Sequence, residues 1–194
     1  RDRSVSRGLG DVYKRQLLGL TAILMLTGAA VPVKADDVWK FDAQRFVLKE
    51  YTGTETDVVV SDTMDEGVPV KRLGTQLLAG SETLTSVVVP DSVTILDVGA
   101  LSYDNNLSEI TLSSNLINIG RNAISSNDAL TELTIPASVC IIDSYAVSGC
   151  YALKKIVFEG ACPLIGPEAF AMLSDDVVTV SYTHLRAHET LSDL

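Results

Sequence analysis

The sequence predicts a mainly β, right-handed solenoid built from a repeat of 23 residues. Four leucines recur at a constant interval of 23 residues. Each is followed sixteen residues later by an alanine, and the four segments share the same spacing of apolar residues. The leucines are Leu84, Leu107, Leu130 and Leu153. A single repeat cannot bury its apolar side alone, so a fixed period of this length indicates repeats stacked around a shared core.

Positions in each repeat are counted here from the leucine, which is position 0. Positions 3 and 5 are apolar in all four repeats, as in Val87 and Val89. Side chains alternate along an extended chain, so these two positions predict a short strand with an inward face. Proline follows at position 6 in two repeats, Pro90 and Pro136, and should end the strand because it has no N–H to donate.

Three further positions complete the predicted repeat. Positions 9 and 12 are apolar except for Cys162, and position 16 is alanine. Position 13 alternates between glycine and aspartate, two residues that tolerate positive φ, so we predict a sharp corner there. Its members are Gly74, Asp97, Gly120, Asp143 and Gly166.

Residues 36–69 lack the repeat and are predicted to form an N-terminal β-hairpin cap over the open end of the core. Two strands are predicted at 46–51 and 58–60, with turn residues between them. Aromatic residues nearby could cover the core or, alternatively, line a ligand pocket; they are Trp39, Phe41 and Phe46. The solenoid itself is predicted over 70–173, followed at 174–179 by the start of a truncated next strand.

Both ends of the chain are predicted to be foreign. Residues 6–16 and 180–189 read as translations of the two strands of one transposase-type sequencing adapter. GAT GTG TAT AAG AGA CAG encodes D-V-Y-K-R-Q, and its reverse complement, in a shifted frame and extended by one base, encodes V-S-Y-T-H-L. Residues 1–16 and 180–194 are therefore expected to be adapter-derived and not native, the alternative being a basic tail and a genuine strand. The remaining segment has no histidine, which excludes histidine-based triads and metal sites.

Residues 17–35 are predicted to be a signal peptide cleaved after Ala35, which places the protein in the secreted or cell-surface class. The apolar run at 17–31 is short for a spanning helix, although an uncleaved membrane anchor is the alternative. Residues 36–179 contain 8 Lys and Arg against 21 Asp and Glu, a net charge of −13. This acidity argues against nucleic acid as a partner and is compatible with cationic partners.

No metal or cofactor is predicted. The acidic loop at 62–67 lacks the ligand spacing of calcium loops, and the cysteines lack zinc spacing. Alternation points Cys140 outward and Cys162 inward, so they should face apart and stay free, with a disulfide as the alternative. Acidic and amide residues also recur in successive repeats and are predicted to form one exposed patch, engaged in turn hydrogen bonds or, alternatively, in a cation site. They are Asp104, Asn105, Asn106, Asn127 and Asp128.

Several segments resemble the BspA-like class of bacterial leucine-rich repeats, whose repeat reads L-x-x-I-x-I-P-x-S-V-x-x-I-G-x-x-A-F-x-x-C. They are L-T-S-V-V-V-P-D-S-V from Leu84, L-T-E-L-T-I-P-A-S-V from Leu130, and I-G-P-E-A-F at 165–170. The resemblance covers 70–173, although the family phenylalanine is kept only at Phe170 and the family cysteine, a buried position, only at Cys150. It implies a surface protein similar to adhesins that contact host matrix proteins or other cells.

The solenoid and the resemblance together predict a non-catalytic, secreted or cell-surface module for protein binding or adhesion. The expected partners are host matrix or cell-surface proteins, with no nucleic acid and no membrane contact beyond export. Two alternatives stay open: an accessory repeat region of a larger exported enzyme, such as a cell-wall hydrolase, and a structural spacer. No phosphate loop or G-x-S-x-G motif occurs in the sequence.

The predicted binding face lies at positions 2 and 4, which alternation turns away from the core. Position 4 supplies small β-branched residues, and position 2 places two acids on neighbouring repeats, a combination that suits a basic and apolar protein partner. The alternative is an ordinary solvated sheet face. The eight residues are Ser86, Val88, Glu109, Thr111, Glu132, Thr134, Lys155 and Val157.

Overall fold

The computed structural model describes residues 38–64 and 67–181, and the chain there is almost entirely short strands and turns. The predicted signal peptide and N-terminal adapter segment lie outside these residues. In order, the strands are β1 Trp39–Asp42, β2 Val47–Tyr51, β3 Asp57–Val59, β4 Thr63–Met64, β5 Val68–Pro69, β6 Arg72–Leu73, β7 Ser86–Val88, β8 Ile95–Leu96, β9 Glu109–Thr111, β10 Asn118–Ile119, β11 Glu132–Ile135, β12 Ile141–Ile142, β13 Lys155–Phe158, β14 Leu164–Ile165 and β15 Val178–Ser181.

The repeats stack as a solenoid with sheets on two sides, which confirms the predicted architecture. The strands at positions 11–12 of the repeats join the hairpin strands β1 and β2 in a seven-stranded sheet of order β1-β2-β6-β8-β10-β12-β14. The longer strands that include positions 2–4 form two parallel three-stranded groups, β3-β7-β9 and β11-β13-β15. From β6 and β7 onward, paired residues are one period apart, as in Val87 with Ile110 and Leu133 with Ile156.

The core follows the predicted inward positions. The leucines at position 0 are buried throughout, and so are the alanines at position 16. Pro90 and Pro136 come just after β7 and β11, as predicted. Cys162 is the exception, since it is exposed where position 9 was expected to point inward. It precedes β14, the outermost strand of the seven-stranded sheet, so no further described strand packs over it.

A turn follows position 13 in each repeat, but the left-handed backbone predicted at position 13 occurs at positions 15 and 19 instead. Gln76, Asn122, Tyr145 and Glu168 at position 15 have φ between 54° and 57°, and Gly99 has φ 64°. Glycine at position 13 is explained by the preceding repeat, whose main chain approaches so closely that a side chain would collide with it. A Cβ on Gly120 would lie 2.5 Å from the carbonyl oxygen of Leu96. The sequence pattern thus marks a steric contact between repeats.

Both predicted strands are present, as β2 and β3, but they do not pair with each other in the N-terminal hairpin. The hairpin consists of β1 and β2, which pair antiparallel, with the Trp39 and Tyr51 rings 4.3 Å apart. β3 instead pairs in parallel with β7, Val58 opposite Val87. The stacked strands therefore begin before Val70. The 23-residue period does not predict the pairing of β3 with β7, because 29 residues separate Val58 from Val87. A small hairpin of β4 and β5 lies between the two strands.

At the other end, β15 pairs in parallel with β13 and places Val180 opposite Val157. The strand thus crosses residue 179, where the native segment was predicted to end. The adapter origin of residues 180–194 stays a prediction. Across the described ranges, no helix is long and apolar enough to cross a membrane.

Candidate binding face

The eight predicted binding residues lie on four successive strands of the repeat. Ser86 pairs with Glu109 and Val88 with Thr111 across β7 and β9. Glu132 pairs with Lys155 across β11 and β13, in the second group of strands. β9 and β11 contact one another without belonging to the same hydrogen-bonded group. The structure therefore places the predicted residues in two columns along successive strands.

Exposure divides these residues into three kinds. Glu109, Thr111 and Glu132 are exposed. Half-buried positions are Ser86, Val88, Thr134 and Lys155. Val157 was expected to face solvent but is only 5% exposed. It lies between Thr134 of β11 and Val180 of β15, whose side chains flank it on the same face. Val157 is therefore unavailable as a contact residue.

The two acids at position 2 differ in their surroundings. Glu132 accepts a hydrogen bond of 2.7 Å from the ammonium group of Lys155, one repeat further along. Both side chains are about half exposed, so this ion pair adds no more than about 1 kcal/mol to stability. Glu109 makes no ion pair within the described residues. Glu109 is therefore the more available carboxylate for a cationic partner.

The structure adds two residues that the repeat pattern missed. β3 places Asp57 beside Ser86 and Val59 beside Val88, so both columns extend toward the N-terminus. Asp57 accepts hydrogen bonds from the hydroxyl groups of Ser86 at 2.6 Å and Thr85 at 3.2 Å, and these bonds hold the pKa of its carboxyl below the usual value. Val59 is 55% exposed. The sequence signal for this strand is the run of three valines at 58–60, since β-branched residues favour strands.

All three cysteines are free in the structure. Cys140 is exposed, as predicted, and Cys150 is buried, as the resemblance implied. The Cys150 thiol donates to the carbonyl oxygen of Ile124 at 3.2 Å, and burial raises its pKa to about 11. Cys150 therefore packs as part of the core.

The predicted exposed polar patch is wrong for two of its five members. Asp104 and Asn127 are fully buried, whereas Asn105, Asn106 and Asp128 are exposed. The buried pair hydrogen-bonds between repeats, and Asn127 also donates within its own turn to the carbonyl oxygen of Ile124. Among the described side chains, no group of three or more His, Cys, Asp and Glu residues could hold a metal ion.

Comparison with known families decides what kind of repeat this is. Residues 71–185 match the BspA type leucine rich repeat region, with six copies. The chain belongs to the BspA-type leucine-rich repeat family. None of the curated proteins matches the chain. The family and the similar structures are described as leucine-rich repeat proteins.

Solved structures of bacterial proteins share the fold. A leucine-rich repeat protein from Bacteroides capillosus is 35% identical, with a TM-score of 0.52, over 59% of this chain and 86% of that chain. A leucine rich cell surface protein from Faecalibacterium prausnitzii is 19% identical, with a TM-score of 0.51, over 79% of this chain and 52% of that one. The pneumococcal vaccine antigen PcpA is 16% identical, with a TM-score of 0.60, over 78% of this chain and 39% of the antigen. The last two likenesses concern the fold alone.

Proposed function

We propose that this BspA-type protein is a secreted or cell-surface module that binds other proteins through the face formed by positions 2 and 4. The observation that carries the proposal is the ordered pair of side-chain columns on successive parallel strands. We define the binding face as Asp57, Val59, Ser86, Val88, Glu109, Thr111, Glu132, Thr134 and Lys155. The cell-surface description of the Faecalibacterium protein supports the proposed location.

The chemistry of this face suits a protein partner with basic and apolar groups. Glu109 and Asp57 offer carboxylates, and Val59 and Val88 offer apolar surface in the neighbouring column. The main-chain groups of these strands already bond between repeats, so the face is rigid before a partner arrives. A rigid surface loses little conformational freedom on binding. No residue of the binding face is aromatic, which disfavours sugar as its ligand.

The test is a binding assay with a panel of purified extracellular-matrix proteins immobilised on a biosensor. We expect at least one to bind the chain, and the double variant Glu109→Lys and Glu132→Lys to weaken that binding about tenfold or more. The melting temperature should change little, because the single ion pair that is lost is exposed.

A matched control reverses two exposed acids at position 21, Glu82→Lys and Asp128→Lys, which lie outside the binding face. It should bind like the unmodified chain. Equal binding by both double variants would show that the face is not the contact surface. Failure of every matrix protein to bind would remove the support for adhesion to the matrix.

A further inference from the structure

A groove of about 770 Å³ lies where the N-terminal hairpin meets the first repeats. The turn and second strand of the hairpin contribute Arg45, Phe46 and Lys49 to its lining, and the stacked repeats contribute Arg72, Thr75 and Asp97. β2 and β6 belong to the seven-stranded sheet, so the groove is not formed by the strands that carry the binding face.

Positive charge collects at this groove in an otherwise acidic chain, whose formal net charge is −10. Between residues 38 and 181 the lysines and arginines are Lys40, Arg45, Lys49, Lys71, Arg72, Arg121, Lys154 and Lys155. Three of these eight line the groove, against one lining carboxylate, Asp97. The groove therefore presents a local positive charge to an incoming anion.

Of the two arginines, Arg45 is the one whose guanidinium is open to a ligand. Arg72 donates through Nη2 to Asp97, and its Nε, which has no hydrogen-bond partner, is shielded from solvent. The guanidinium of Arg45 makes no ion pair within the described residues. The ammonium group of Lys49 forms an ion pair with Asp42, at 2.7 Å from Nζ to Oδ2. A guanidinium presents several N–H donors in a planar fork, which matches the paired oxygens of a carboxylate or sulfate.

Phe46 gives the groove an aromatic surface. Its side chain is 42% exposed and its backbone has φ 56°, an unfavourable conformation for a bulky residue. The carbonyl oxygen of Phe46 accepts hydrogen bonds from the main-chain N–H groups of Lys71 at 2.9 Å and Arg72 at 3.1 Å, which hold the turn in place. The fold thus maintains an exposed ring, in a strained turn, beside the cations.

We propose that this groove binds an acidic sugar, a uronate or sulfated saccharide unit. The cations would receive the acidic group, the Phe46 ring would pack against the apolar face of the sugar, and Gln44 and Thr75 would meet its hydroxyl groups. An acidic peptide would use the cations but would leave the aromatic surface and the neutral polar groups without a role. The proposed ligand class therefore uses every kind of side chain in the lining.

The experiment titrates the full chain, labelled with ¹⁵N, with a sulfated uronate disaccharide and follows amide shifts by NMR. We expect saturable shifts in the groove, with a Kd of about 1 mM or tighter. Arg45→Ala and Phe46→Ala should each weaken binding about tenfold, and Arg121→Ala, an exposed arginine outside the groove, should not. Unchanged melting temperatures would show that the variants are folded.

Three parallel titrations identify what is recognised: inorganic sulfate, an unsulfated neutral disaccharide, and a short glutamate peptide. The proposal holds if the acidic disaccharide binds clearly more tightly than all three. It is overturned if no saturable shift appears, if the groove variants bind like the Arg121 variant, or if any of the three probes binds as tightly. None of these outcomes depends on the binding face, so the two proposals can fail separately.

Discussion

The main-chain N–H of Asp104 donates a hydrogen bond of 3.0 Å to the side-chain oxygen of Asn127, one repeat further along the chain. The N–H of Ser81, one repeat earlier, donates in the same way to Oδ1 of Asp104 at 2.7 Å. Asn127 also donates through Nδ2 to the carbonyl oxygens of Leu101 and Ile124. This buried ladder at position 20 supplies hydrogen bonds to main-chain N–H and C=O groups of the turns, which have no partner in a strand.

Asp104 differs from Asn127 because its side chain has a second carboxyl oxygen where Asn127 has an N–H donor. Its Oδ2 is buried without a hydrogen-bond partner, and burial raises the pKa of the carboxyl from 3.8 to about 7. The folded state therefore holds a proton that the unfolded state releases above its lower pKa. The contribution of this carboxyl to the free energy of unfolding is fully present below about pH 4 and is lost as the pH rises through about 7.

We therefore expect Asp104→Asn to stabilise the protein above pH 7 and to flatten the dependence of stability on pH. The amide keeps the oxygen that accepts from Ser81 and adds a neutral donor, as Asn127 shows one repeat later. The gain is bounded by about 4 kcal/mol, the equivalent of three pKa units. Urea unfolding at about pH 5 and about pH 8 measures it. Asp128→Asn, at an exposed neighbouring position, should show no such gain, and an equal effect in both variants would contradict the assignment.

The register of the repeat predicts a large difference between two adjacent residues. Leu130 is fully buried and Thr131 is exposed. Leu130→Ala should lower the free energy of unfolding by about 2–5 kcal/mol, because it leaves a cavity between two complete repeats. Thr131→Ala should change it by about 0.5 kcal/mol or less. Chemical denaturation of both variants measures this, and similar losses would contradict the proposed register.

The close approach at position 13 predicts that Gly120 cannot accept a side chain. A Cβ there would lie 2.5 Å from the Leu96 carbonyl oxygen and 3.1 Å from the carbonyl carbon of Asp97, both main-chain atoms that move only with the repeat. Gly120→Ala should therefore destabilise by about 1–3 kcal/mol. Asp143→Ala is the control, since the same position one repeat later already carries a Cβ. Thermal melts compare the two, and a harmless Gly120→Ala would argue against tight stacking.

The cysteines predict a two-step reaction with a thiol reagent such as Ellman's reagent. Cys140 and Cys162 are exposed and should react in the native protein. Cys150 is buried, and its raised pKa, about 11, leaves little thiolate at neutral pH. It should react only after denaturation. Replacing Cys150 by alanine should remove only the reaction that requires denaturation, whereas equal rates for all three thiols in the native protein would contradict its placement in the core.

The last strand predicts where the chain can be shortened. Ending the chain at Val177 removes β15 and uncovers β13, including Val157. Each large apolar side chain returned to water costs about 1.5–3 kcal/mol at full exposure, so the melting temperature should fall by several degrees. Ending it at Ser181 keeps β15, and we expect little change if residues 182–194 are foreign, as their codons predict. A large fall in melting temperature when the chain ends at Ser181 would contradict that origin.

Much of this fold follows from spacing alone. Leu84, Leu107, Leu130 and Leu153 recur at one interval, and the pattern around them predicted the stacked repeats, the inward positions and the strand ends at Pro90 and Pro136. These features depend on alternation and periodicity within one repeat, which a sequence displays directly. Seven of the eight predicted face residues, all except Val157, follow the same alternation and are exposed or half-buried as outward positions should be.

Other features depend on what one repeat places against the next, and only the tertiary structure decided them. Val58 joins the parallel strands although its spacing breaks the period, and Val157 is covered by a strand that follows it. Asp104 is predicted from the sequence to be exposed, but neighbouring repeats bury it. The groove unites Arg45, Arg72 and Asp97, which are far apart in sequence. The period specifies which residues each repeat turns inward, whereas burial, charge pairing and cavities arise from contacts between repeats that have no local sequence signal.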